Sequence, residues 1–347
     1  MKKIIGILLS AVLVFTAGCG TSEGNSQETG GQSAADTSSE EKTADSAKVV
    51  NIGTMNLVNG DLIAQYEKIY EEELGTEVNI INFDSGKDVN TAFASGSIDI
   101  SELGSSPTAL GLANDIDYEV FWIGDIIGAA ESLAVRNDSG IESLSDLKGK
   151  KIGTPFASTA HYSLLNALKA EGISEGDVTI FDLQPADIYA AWERGDIDAA
   201  YVWYPVLSQL LENGKTIMDS AKLAEKGVIT ADFNVVRTAF AKENPQIVAN
   251  YVKAQIKAND ILLNQADQAA GDIAAILEIS KEDAAEQITQ FQYLTAEEQI
   301  DYLENQIAET LQNTAVFLQE QDSIKSAPDL EFYKGKVTTE FIKEALK

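Results

Sequence analysis

The sequence predicts an α/β protein built as two similar lobes. Strand-patterned and helix-patterned segments alternate through most of the chain. One strand-entry motif occurs twice, about 100 residues apart, which is too long a period for a solenoid of about 20–50-residue repeats. The length of 347 residues suits two lobes better than one.

The elements follow in chain order. Lys2 and Lys3 precede an uncharged, mostly apolar run, Ile4 to Ala17. It is short for a membrane span of about 20 residues and reads as an export signal over 1–18. The only cysteine, Cys19, ends that run in Ala17-Gly18-Cys19, which resembles the bacterial lipobox, although Thr16 replaces the usual Leu. Cys19 is therefore expected to carry a lipid. Residues 19–48 then form the expected tether. After Cys19 this segment holds no aromatic residue and no aliphatic residue larger than Ala, too little apolar surface to offset its ordering entropy.

The body opens with Val49-Val50-Asn51-Ile52-Gly53, a strand, and a helix patterned over Leu62 to Leu74. A second strand, Val78 to Phe83, leads through Asp84-Ser85-Gly86, an N-cap, into a helix over Lys87 to Ala94. Two segments then echo each other: Ser95-Gly96-Ser97-Ile98-Asp99 and Arg194-Gly195-Asp196-Ile197-Asp198. Each reads as a helix stopped by a glycine, then a short strand, then a loop closed by proline, Pro107 or Pro205. Leu144 to Gly153 reads as a short helix, a basic turn and a strand. Ser158 or Thr159 caps an amphipathic helix running to Ala170. Beyond Val236 the chain turns largely helical, with stripes Val248/Val252/Ile256 and Leu303/Ile307/Leu311/Ala315/Leu318 facing a core.

Composition removes whole classes of function. With 25 basic and 55 acidic residues the chain carries −30, so it has no general attraction to nucleic acid. One cysteine excludes an intrachain disulfide framework, and one histidine excludes two-histidine metal motifs. A hydrolase has only His161 to use, and no nucleophile elbow or phosphate loop accompanies it. In open α/β sheets ligands bind beyond the carboxyl ends of strands, which selects Asn56, Ser85, Ser105, Ser106, Thr159 and Trp203. Thr159 stands at a helix start, where free N–H groups and the helix dipole favour an anion.

Several strings, in this order and spacing, resemble the taurine-binding proteins of ABC importers, within the wider sulfonate and nitrate group. They are Phe83-Asp84-Ser85-Gly86, Leu103-Gly104-Ser105-Ser106-Pro107, Ser158 to Leu165, Ala190 to Asp198, Tyr201-Val202-Trp203-Tyr204-Pro205 and Tyr293-Leu294-Thr295. The resemblance implies a type II periplasmic-binding-protein fold, with two α/β lobes, a ligand cleft and two crossovers. It places lobe 1 at 49–134 plus 235–347 and lobe 2 at 135–234. It implies a lipid-anchored receptor, monomeric and without a cofactor, on the outer face of the cell membrane or in a periplasm. This receptor would hand taurine or a related small sulfonate to the transmembrane subunits of an ABC permease. Another small ammonium-bearing or anionic solute and a hydrolase using His161 are the alternatives.

By the same resemblance Glu131 and Asp232, in the crossover segments, take the ligand's ammonium. Ser105, Ser106 and Thr159 take its sulfonate, and Trp203 and Tyr162 wall the cleft. Two features depart from the taurine pattern. The first loop reads Met55-Asn56-Leu57-Val58-Asn59-Gly60, and Asn234 replaces an expected aromatic ring, whose loss is expected to widen the cleft or to admit another ammonium or sulfonate ligand.

Overall fold

The computed structural model describes residues 47–347. The expected signal (1–18), Cys19 and the tether as far as residue 46 lie outside the described residues. Ala47, placed in the tether by sequence, is already fastened to the body. Its N–H donates to Asn244 Oδ1 at 2.8 Å and its carbonyl accepts from Thr76 Oγ1 at 2.8 Å.

Two sheets form. The strands are β1 (Val49–Thr54), β2 (Glu77–Asn82), β3 (Ile100–Gly104), β4 (Tyr118–Ile127), β5 (Glu131–Arg136), β6 (Lys151–Thr154), β7 (Thr179–Asp182), β8 (Ala199–Trp203), β9 (Gly214–Asp219), β10 (Ala231–Arg237) and β11 (Phe291–Gln292). The first sheet runs β11-β4-β10-β3-β1-β2 and the second β7-β6-β8-β5-β9. Apart from β11 the two orders correspond strand for strand. In each, three parallel strands are followed by an antiparallel strand that has crossed from the other sheet. Among the described residues no helix is long and apolar enough to cross a membrane.

The echoed motif is the seam of this arrangement. Gly96 and Gly195 end their helices in the left-handed conformation, at φ 71° and 73°, which glycine adopts without a Cβ penalty. The Asp99 carboxylate then accepts the Asn51 N–H at 3.0 Å, and the Asp198 carboxylate accepts the Lys151 N–H at 2.9 Å. Their carbonyls accept from Arg237 N and Arg136 N of the crossing strands. Each aspartate therefore registers its strand between a parallel and an antiparallel neighbour. The Ile-Asp pair leads into the strand rather than forming it, because the carboxylate is occupied with the adjacent chain.

The second sheet is covered on both faces. Leu133, Val135 and Tyr201 face one apolar cluster, while Ala134, Ala200 and Val202 face the other, which contains the fully buried Trp192. This two-residue alternation with no solvent face explains why its central strands read as unbroken apolar runs.

The structure moves several expected boundaries. β5 belongs entirely to the second sheet and β10 to the first, so the chain crosses between Ile127 and Glu131 and between Asp219 and Ala231. The expected boundaries at 134 and 234 fall inside these strands, because each returning strand is a hydrogen-bonded ladder partner from its first residues. The helix expected over Leu62–Leu74 is two helices, Gly60–Tyr66 and Ile69–Leu74, broken at Lys68 with φ 58°. The helix after Ser158 starts at once, at Thr159, and that serine is its N-cap.

Candidate functional site

Between the carboxyl ends of the two sheets lies a cavity of about 420 Å³, counted with its mouth. The first lobe lines it with Met55, Leu57, Gly86, Gly104, Pro107 and Asp232; the second supplies Glu131, Ser158, Thr159 and Trp203. Ile127, Ala130 and Phe291 close the side where the chain crosses. The helices Gly86–Ser95, Ser105–Ala113 and Thr159–Ala170 all begin here, so three sets of first-turn N–H groups meet at the cavity.

The lobes are closed on one another. A Cβ built on Gly104 would stand 3.0 Å from Thr159 Cγ2 and 3.3 Å from Asp232 Oδ1. Gln184 Nε2 of the second lobe donates to Ser85 Oγ of the first at 3.3 Å, and Lys87 pairs with Asp182 at 3.7 Å. At another point of the seam, Tyr162 meets Phe317 edge to face at 4.8 Å.

The cavity is backed by buried acids. Glu131 is buried, and its two oxygens accept from Thr159 Oγ1 at 2.5 Å, Ser220 Oγ at 3.0 Å and Ser163 Oγ at 3.3 Å. Burial pushes it up to about 7 against the pull of these three hydroxyls. Asp232 lies beside Gly104 at the start of β10 and is held well above the usual carboxylate range, by burial first and then by the charge of Asp125. Glu102 is pushed up to about 8 by burial and by Asp61, although it accepts from Thr54 Oγ1, the Met55 N–H and Asn59 Nδ2. Asp61 itself is surrounded by donors: Tyr70, Tyr251, Gln255 and Asn234.

Of the residues selected from sequence, Glu131, Thr159, Trp203 and Asp232 line the cavity together. The Thr159 hydroxyl is committed to Glu131, which leaves only its backbone N–H for an anion. Ser105 and Ser106 are fully buried in the first turn behind Gly104; Ser106 Oγ has no hydrogen-bond partner among the described residues. Asn56 is not a lining residue. It takes φ 55° between Met55 and Leu57, which are, and its N–H turns back to Thr54 Oγ1. Tyr162 is not a lining residue either, because its helix directs it to Phe317 at the lobe seam.

Asn234 does not widen the cleft. It is fully buried behind the cavity and its Nδ2 donates to Asp61 at 2.8 Å and Tyr251 at 2.9 Å. His161 also stands apart. It stacks on Phe156 at 4.4 Å, its Nδ1 accepts from the Ala157 N–H, and burial pushes it down to about 4. Sequence reasoning missed Asp125, Glu102, Asn59 and Phe291. An acid inside the apolar strand Phe121-Trp122-Ile123-Gly124-Asp125-Ile126-Ile127 was the available signal for the first. Nothing local marks Phe291.

A pair of topologically equivalent lobes shut over a small, acid-backed cavity, with helix starts on its rim, defines the two-lobed class of solute-binding proteins. Residues 48–287 match the family described as the substrate-binding domain of the ABC-type glycine betaine transport system, and the chain belongs to that family. It is 37% identical to the taurine-binding periplasmic protein of Escherichia coli (strain K12), over 81% of this chain and 88% of that one. The alkanesulfonate-binding protein SsuA from Xanthomonas axonopodis pv. citri, bound to MOPS, superposes with a TM-score of 0.70 at 22% identity. That match covers 83% of this chain and 96% of the other. The periplasmic aliphatic sulphonate binding protein SsuA from Escherichia coli superposes with a TM-score of 0.68, also at 22% identity, covering 84% and 92%. At that identity the two structures speak for the fold.

Proposed function

We propose that this chain is the extracytoplasmic receptor of an ABC importer and that it closes on taurine or a closely related small amino-sulfonate. One observation carries the reading: Asp232 from one lobe and Glu131 from the other line a closed cavity, and among the described residues neither is in an ion pair. Buried carboxylates in that state favour a cationic group, and a primary ammonium brings both charge and N–H donors. A quaternary ammonium instead favours a cage of aromatic faces, and here the lining rings are Trp203 and Phe291 alone. The first-turn N–H groups at Gly86, Ser105 and Thr159 suit the sulfonate without any arginine. The 37% identity to a taurine-binding protein points the same way.

In this reading ligand bridges the lobes, the closed form docks on the permease, and the chain catalyses nothing. Cys19 carries a lipid that anchors a monomer to the outer face of the membrane. Calorimetry with taurine, ethanesulfonate and glycine betaine tests the ligand. Taurine should bind at least about tenfold more tightly than ethanesulfonate, a difference of about 1.4 kcal/mol. Asp232→Asn should erase that preference. Equal affinity for taurine and ethanesulfonate, or tighter binding of glycine betaine, overturns the assignment. Release of the Cys19→Ala protein from the membrane fraction tests the anchor; continued membrane association rejects it.

A further inference from the structure

We infer that Ser163 and Ser220 are positioning residues for the ligand's cationic end. From behind the cavity their hydroxyls hold one oxygen of Glu131, keep that buried carboxylate ionised, and leave it an acceptor position for the ligand. The inference rests on the reading that Glu131 and Asp232 receive the ligand's ammonium.

Three elements deliver the hydroxyls. Glu131 opens β5, is buried, and lines the cavity. Thr159 and Ser163 stand four residues apart on the Thr159–Ala170 helix, so both hydroxyls lie on one face of it. Thr159 Oγ1 donates to Glu131 Oε2 at 2.5 Å, and Ser163 Oγ donates to Oε1 at 3.3 Å. β9 is a ladder partner of β5, with Asp219 opposite Ser132, and Ser220 follows it directly. Ser220 Oγ donates to Glu131 Oε1 at 3.0 Å. Ser163 and Ser220 are buried and neither lines the cavity, so they reach a ligand only through Glu131.

The donors fit a carboxylate. Tyr201 of β8 has its hydroxyl 3.3 Å from Ser220 Oγ, and Ser163 Oγ is 3.2 Å from the same atom. Among the described residues these four hydroxyls have no acceptor but one another and Glu131. An ionised carboxylate offers about four lone-pair sites. Thr159, Ser163 and Ser220 fill three, with Tyr201 donating to Ser220, and one remains for a ligand N–H. A proton on Oε2 would leave the Thr159 hydroxyl without an acceptor. A proton on Oε1 would crowd an oxygen that already accepts from two serines.

The groups around Glu131 supply no free cation. Trp203 is its directly opposed partner on β8, and Asp232 faces it across the cavity. Asp219, next to Ser220, is paired with Lys222 at 2.7 Å. His161 is turned to Phe156, and the helices Ser105–Ala113 and Val206–Leu211 carry no titratable side chain. Burial raises Glu131 to about 7, and the three hydroxyls oppose that rise.

Ser163→Ala is the clean removal, because Ser163 Oγ has no partner among the described residues besides Glu131 and Ser220. It should weaken taurine about tenfold at pH 6, narrowing to about twofold at pH 8, because Glu131 then takes up a proton more readily. Ethanesulfonate, which has no ammonium, should not weaken at either pH. Should Ser163→Ala not fold, the Tyr201→Phe/Ser220→Ala protein, which orphans no tyrosine hydroxyl, provides the same test. Equal losses of both ligands at both pH values, or parent-like taurine affinity at pH 6, overturns the proposal. Failure of the ammonium reading is distinguishable, because the parent would then bind taurine and ethanesulfonate equally. The ligand-free melting temperature still reports the hydroxyls: its fall with rising pH should continue to higher pH in Ser163→Ala than in the parent, and coincident profiles overturn the proposal.

Discussion

Replacing Gly104 by alanine separates closure of the lobes from folding of either one. The added methyl would stand 3.0 Å from Thr159 Cγ2, across the cleft, and 3.3 Å from Asp232 Oδ1. Both distances are shorter than ordinary contact, so a neighbour must yield by a few tenths of an ångström. Thr159 is packed into the first turn of its helix and tied to Glu131, so the easier adjustment is between the lobes. Overpacking of this kind costs about 1–3 kcal/mol. The closer contact, with Thr159, is met only on closure, so it should appear as a loss of about 5–150-fold in taurine affinity, whereas the 3.3 Å approach to Asp232 lies within one lobe and is the milder one. The ligand-free melting temperature should hardly move. Calorimetry and thermal unfolding of the same preparations provide the assay. Thr159→Ser in the Gly104→Ala background removes the nearest methyl, keeps the hydroxyl for Glu131, and should recover part of the loss. The comparison is Gly86→Ala, whose Cβ would meet Pro107 Cγ at 2.5 Å inside one lobe and should lower the ligand-free melting temperature. Parent-like affinity in Gly104→Ala, or a loss matched by an equal fall in ligand-free stability, refutes the reasoning.

Three further outcomes are expected. Glu131 and Glu102 have folded values raised to about 7 and about 8, above their unfolded values, so the folded state holds the extra protons. Their contribution to stability is complete below the unfolded carboxylate range and is lost as pH rises through about 7 and 8. The ligand-free melting temperature should therefore fall from pH 5 to pH 8 while taurine affinity rises; a flat profile for both refutes this. Asn59→Ala removes a helix cap and the amide that bridges Glu102 and Asp125, and should destabilise the protein by about 2–4 kcal/mol in denaturant. Unchanged stability would exclude that bridge. His161→Gln should leave taurine affinity within about twofold, since the ring stacks on Phe156 away from the cavity; a large loss would place His161 in the site.

The sequence by itself determined the class of fold and four of the thirteen residues that line the cavity. Strand and helix periodicities are local, so β1, β2 and β6 were legible close to their observed limits. The repeated Gly-x-Ile-Asp was legible because a left-handed helix stop and a strand-registering aspartate are short-range devices that both lobes reuse. Thr159 and Trp203 were reachable because post-strand positions follow from topology, whereas Glu131 and Asp232 were reached through the family resemblance, which implied the crossovers. Tertiary structure decided what those positions do. Asn56 and Tyr162 leave the cavity because a backbone twist and a helix face turn them elsewhere, which no spacing encodes. Asn234 reads as a missing ring and is an amide serving Asp61. The −30 total reads as a solvated surface, yet five of its acids, Asp61, Glu102, Asp125, Glu131 and Asp232, are buried at or behind the cavity. Glu102, Asp125 and Asp232, 41 to 171 residues from Asp61 in the chain, come together with it, and only the closed fold sets their burial. Burial and proximity, rather than residue type, set those acids apart from the rest of the surface charge, and the proposed ammonium site rests on them.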